Sequence, residues 1–171
     1  MHDHFALFAN YNAWANRWIF DAAAGLSDED YRRDCGVFFK SMHGTLNHIL
    51  VADQIWMRRF TGQGEALTRL DAIVHTSLVD LRQARDAMDE RIRNWIAGLD
   101  EEQLAGTFVY TPITEPEASI TEALAPALAH FFNHQTHHRG HAHGILTQLT
   151  GEAPSLDLIY YLREIRLGLQ R

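Results

Sequence analysis

Residues 127–150, ALAHFFNHQTHHRGHAHGILTQLT, decide the fold. Leu128, Phe131, Ile145, Leu146 and Leu149 recur at helical spacing, Gly151 stops the run and Pro154 prevents its resumption, so one long helix is predicted. The same stretch holds five of the chain's 11 histidines, His134, His137, His138, His141 and His143, inside ten residues. At about 100° per residue, His130, His134, His138 and His141 form one stripe, with His137 at its edge. The apolar residues centre roughly 80° from His134, which brings His138 nearest the core and His134 next, with His130 and His137 toward solvent.

Two imidazoles at i and i+4 are separated by a rise of about 6 Å on one face, close enough to share a metal ion. Buried separately, each ring would need its own hydrogen-bond partner, whereas one ion satisfies both. A third ligand must come from another helix, and His43, His48 and His75 are the candidates. His48 is the best placed: Ile49, Ile55 and Trp56 mark its segment as buried, and Gly44 and Ala52, one turn either way, leave room for an approaching helix. His75 and His143 read more simply as surface or hydrogen-bonded residues, and His137 with His141 makes a competing pair farther from the core.

Working outward, residues 4–24 carry Phe5, Phe8, Tyr11, Trp14, Trp18 and Ile19 near helical spacing and meet Gly25 as a stop. After a short turn capped by Ser27, residues 31–39 connect to a second helix that starts near Lys40 or Ser41 and runs to Phe60. A third helix is predicted over residues 70–99, with Ile73, Leu78, Leu81, Ala84, Met88, Ile92, Trp95 and Ile96 on its apolar face and Asp86, Asp89, Arg91 and Arg93 outward. Thr107 to Tyr110, followed by Pro112 and Pro116, fits a turn or short hairpin. Ser119 with Glu122 makes a capping box for the fourth helix, and Pro126 either kinks that helix or marks its start. Residues 156–168 form a short last helix. The expected fold is all-α, a four-helix bundle with a short additional C-terminal helix, in one domain over residues 1–171.

Composition narrows the function classes. The chain is 46% hydrophobic and 22% charged, as a globular protein should be. A net charge of -7 with no basic run lacks the footprint of a phosphate-backbone binder, so no nucleic-acid partner is expected. No apolar run approaches the roughly 18 residues a membrane span needs, and the first residues are polar, so no membrane partner and a cytoplasmic location are expected. Cys35, the single cysteine, has no internal disulfide partner.

Four stretches carry a family resemblance: Tyr11-Asn12-Ala13-Trp14-Ala15-Asn16, His48-Ile49-Leu50-Val51-Ala52-Asp53-Gln54-Ile55-Trp56, Asn133-His134-Gln135-Thr136-His137-His138-Arg139-Gly140, and Leu156-Asp157-Leu158-Ile159-Tyr160. In this order the chain resembles the DinB-like (damage-inducible) helical bundle proteins, related to metal-binding, thiol-dependent transferases. The resemblance covers nearly the whole chain. It implies a three-histidine metal site whose ligands map onto His48, His134 and His138. Such proteins often have glutamine after the Arg-Gly pair, where this chain has His141, a fourth ligand, a supporting group or neither. The resemblance also raises the expectation of a homodimer formed by helix faces rich in Phe5, Trp14, Trp18 and Trp95; a large core is the alternative use of those residues.

Three imidazoles leave coordination positions open, the arrangement of a catalytic site. Zinc, nickel and ferrous iron all accept imidazole. The family points to one divalent ion that activates a low-molecular-weight thiol, as co-substrate, for transfer to or isomerisation of a small electrophile. Two other readings stand beside it: metal-dependent hydrolysis, for which Asp53 faces the wrong way on an ideal helix, and a non-enzymatic metal-binding stress-response protein. Arg139 fits either an anionic substrate group or an ion pair between helices.

Overall fold

A computed structural model describes residues 1–169. Its four long helices are α1 (His2–Ala23), α3 (Met42–Thr61), α4 (Leu78–Ala97) and α6 (Leu124–Thr150), with short helices α2 (Asp28–Arg32), α5 (Glu101–Ala105) and α7 (Leu158–Leu167). Helix α1 packs on α4 and α6, and α3 packs on α6 and α4, which closes the bundle predicted from the sequence. The core runs through Ile19, Leu46, Leu50, Leu81, Ile92, Leu128, Phe131 and Ile145. Among the described residues, no helix is long and apolar enough to cross a membrane.

The helix ends follow from capping chemistry. The side chains of Ser27, Ser41 and Ser77 each accept a backbone N–H three residues on, at the starts of α2, α3 and α4. Gly62 and Gly151 end α3 and α6 in the left-handed region. Pro126 sits in the first turn of α6, where its missing N–H would have had no partner, so α6 starts at Leu124.

Three sequence expectations are corrected. The third helix begins at Leu78 and not at residue 70, because residues 62–77 form a loop tied to α3: Asn47 Oδ1 accepts from the backbone N–H groups of Val74 and His75 at 3.0 Å. Asp89 faces inward, held by Asn12, Asn16 and Arg85. Ser119 and Glu122 cap nothing in α6: Glu122 lies in β2 (Ile120–Ala123), paired antiparallel with β1 (Thr107–Tyr110). Phe5 and Trp14 are buried within the chain itself, packed in its core clusters.

Candidate metal centre

His48 stands on α3 inside the buried run Leu46 to Val51, and His134 and His138 stand one turn apart on α6. Packing of α3 on α6 brings the three rings together. Ring centroids lie 4.3 Å apart for His48 and His138, 4.4 Å for His134 and His138, and 5.2 Å for His48 and His134. One ligating nitrogen from each falls within 4.8 Å of the others, a group that could hold a metal ion. His141 does not join it. It forms a second such group, nearer the surface, with His137 and the shared His138.

Hydrogen bonding fixes the tautomer of His48. Its Nδ1 lies 2.8 Å from the carbonyl oxygen of Leu70, which can only accept, so Nδ1 carries the proton and Nε2 keeps its lone pair. That Nε2 is buried and has no hydrogen-bond partner among the described residues. A ring held at one nitrogen by a backbone carbonyl, with the other nitrogen free, is the arrangement of a metal-ligating histidine.

Burial, reinforced by the neighbouring imidazoles, lowers the pKa of His134 from 6.5 to about 4 and that of His138 to about 3. Burial also lowers His48, against the opposing pull of the Leu70 carbonyl. All three rings are therefore neutral at neutral pH. No hydrogen bond links the three rings among the described residues, so their lone pairs match a cation.

The remaining wall comes from the loop before α3. Phe39 stacks on His48 with centroids 3.7 Å apart at 15°, and meets His138 edge-on at 5.5 Å. Gly44 permits this approach, because a Cβ there would lie 2.1 Å from the Phe39 carbonyl oxygen. Gly44 thus makes room for a loop carbonyl and not for a helix.

The rival histidines are engaged elsewhere. His43 Nε2 lies 3.1 Å from the His75 carbonyl oxygen and Nδ1 lies 3.3 Å from Arg32. His130 is exposed, with its ring 5.9 Å from that of His134.

A buried polar network joins the long helices behind the histidines. Arg85 Nη1 donates to Asp53 Oδ2 at 2.5 Å, Gln135 donates to Asp53 Oδ1 at 2.7 Å, and Arg85 Nη2 lies 2.9 Å from Asp89 Oδ1. Asn16 donates to Asp89, and Arg139 donates to Asn12. All four long helices contribute. Gln135 and Arg139 follow His134 and His138 in sequence, so the network fixes the rotation of α6 that presents the two rings. Arg139 is buried, and among the described residues no carboxylate lies within ion-pair distance of it, although Asp89 and Asp53 act on its charge from farther off. A signal existed: Asn12/Asn16, Arg85/Asp89 and Gln135/Arg139 are polar i,i+4 pairs, and Arg85 is in phase with Leu81, Met88 and Ile92.

A four-helix bundle with three neutral imidazoles from two of its helices defines a class of histidine-cluster bundle proteins with a metal-compatible centre. The chain belongs to the DinB family, whose model matches residues 1–167. It is similar to Protein DinB of Bacillus subtilis (strain 168), 26% identical over 156 residues that cover 89% of this chain and 90% of the relative.

Proposed function

We propose that His48, His134 and His138 hold one divalent metal ion and that the protein uses it to activate a low-molecular-weight thiol toward a small electrophile. The observation that carries this reading is the buried Nε2 of His48, left without a partner while Nδ1 is fixed by Leu70. Zinc, nickel or ferrous iron bound to three imidazoles would leave positions open and would lower the pKa of a thiol that reaches it.

The chain's own groups prepare that chemistry. Leu70 orients His48, Phe39 keeps water from one side, and the depressed pKa values keep the rings free of protons near pH 7. Hydrolysis is less well supported. Asp53, five residues from His48, is committed to Arg85 and Gln135 and is buried away from solvent, so it offers no general base.

The test is thiol-dependent loss of a model electrophile by metal-loaded protein purified without an affinity tag, with and without chelator. The reading expects turnover that needs both metal and thiol. A rate that chelation leaves unchanged contradicts it.

A further inference from the structure

A line of packed rings leads from the histidines toward the C-terminal end of α3. From His134 the ring of His130 lies 5.9 Å away, Trp56 lies 5.2 Å beyond His130, and the Arg59 guanidinium lies 4.6 Å over the Trp56 ring and 4.7 Å over that of Tyr110. Arg59 and Arg58 line a cavity of about 400 Å³ together with Ile55, Leu67 and Tyr110. The loop that walls this cavity runs on from Leu67 to Leu70, whose carbonyl meets His48. Three residues of chain span at most about 11 Å, so the cavity and the histidine centre are neighbours.

Among the described residues, Arg59 is a cation without a counterion: no carboxylate lies within ion-pair distance of it, and it makes no hydrogen bond. Burial lowers its pKa, and the Tyr110 hydroxyl opposes that shift. A half-buried guanidinium normally finds an anion, because desolvation without pairing costs stability. The Trp56 and Tyr110 rings, 5.8 Å apart, both lie against the guanidinium carbon on the same side, and none of its N–H groups is spent on a hydrogen bond among the described residues. Arg58 adds a second positive charge and is itself tied to the Gly64 carbonyl.

We propose that this cavity is a carboxylate-binding subsite, with Arg59 as its anchor, for a small molecule whose other end reaches the histidine centre. The proposal rests on the reading that His48, His134 and His138 hold a metal ion. Eleven residues of α3 separate His48 from Arg59, roughly 16 Å along the axis, and the Arg59 side chain leans back toward the helix N-terminus. The ligand class is therefore an elongated thiol with a carboxylate on the order of 10 Å from its sulfur.

Two measurements test it. The first follows the Arg59 Nε–H resonance, assigned by its loss in Arg59→Lys, while metal-free protein is titrated with hexanoate or with hexanol. A saturable shift with hexanoate alone is expected, and no shift with hexanoate overturns the subsite whatever the metal does. The second uses cobalt-loaded protein and reads the sulfur-to-cobalt absorption band during titration with mercaptopropionate, mercaptooctanoate and mercaptoundecanoate, each beside the alcohol of matching length. The longer carboxylates should bind about ten-fold more tightly than their alcohols, and Arg59→Gln should abolish that preference. A band that appears with equal affinity for acid and alcohol, or a preference that survives Arg59→Gln, overturns the link between the two sites. Absence of any sulfur band with every thiol contradicts the proposed function instead, and the Arg59 resonance then decides the subsite alone.

Discussion

Replacing Gly44 by alanine sets two physical effects against each other, and the structure decides the sign. Gly44 lies in the first turn of α3, where alanine is favoured over glycine by up to about 1 kcal/mol of helix propensity. The added methyl, however, would sit 2.1 Å from the carbonyl oxygen and 3.2 Å from the carbonyl carbon of Phe39. The obstacle is backbone, so rotamer changes cannot relieve it, and the loop must retreat until the closest contact exceeds 3.0 Å. Overpacking of this kind costs about 1–3 kcal/mol, which outweighs the propensity gain and leaves a net loss on the order of 1–2 kcal/mol. Because Phe39 stacks on His48 at 3.7 Å, the retreat also pulls the ring off the histidine cluster. Urea denaturation of the metal-free variant should show a lower midpoint with an unchanged slope, and a Tm lower by a few degrees. Metal titration should show weakened binding as well. A Gly44→Ala protein as stable as the parent, with the same metal affinity, would refute the claim that glycine is needed to seat Phe39.

Other perturbations give equally definite expectations. Asp53→Leu removes the acceptor shared by Arg85 and Gln135 and should cost about 3–5 kcal/mol in urea denaturation, since it strands buried donors; a loss below about 1 kcal/mol would mean the network does not brace the bundle. The metal-free protein should lose stability as pH falls. His134 and His138 bind protons less readily folded than unfolded, so their penalty is absent above about 6.5 and grows as pH drops, to about 4 for His134 and about 3 for His138. His134→Asn should flatten that decline, and an identical pH profile in the variant would contradict the assignment. The homodimer expected from family resemblance is tested by sedimentation at micromolar concentration: a species of twice the chain mass supports it, and monomer alone removes it.

The helices were legible because their signals are local. Ser41 and Gly62 bracket α3, Gly151 ends α6, and the apolar phase of Leu128, Phe131, Ile145 and Leu146 sets which histidines turn inward. Placing His134 and His138 on the inner edge of the stripe needed nothing beyond 100° per residue. The loops were less legible, because their conformations are set by distant partners. Residues 70–77 have a helical apolar rhythm, yet their backbone is claimed by Asn47 and His48, side chains more than 20 residues earlier. Phe39 gave no sign of its place against His48, since its position depends on a missing side chain at Gly44. Asp89 has the sequence context of a solvated charge, and its burial depends on Arg85, Asn12 and Asn16, two of them on another helix.

The central claim is that His48, His134 and His138 form a metal centre, and metal content measures it most directly. Protein purified without an affinity tag should carry, or take up in dialysis against zinc, nickel or cobalt, one ion per chain by elemental analysis. His48→Ala and His134→Ala should each lose most of it while keeping the helical circular dichroism of the parent. Equal metal in parent and variants, or none in the parent after loading, would contradict the account.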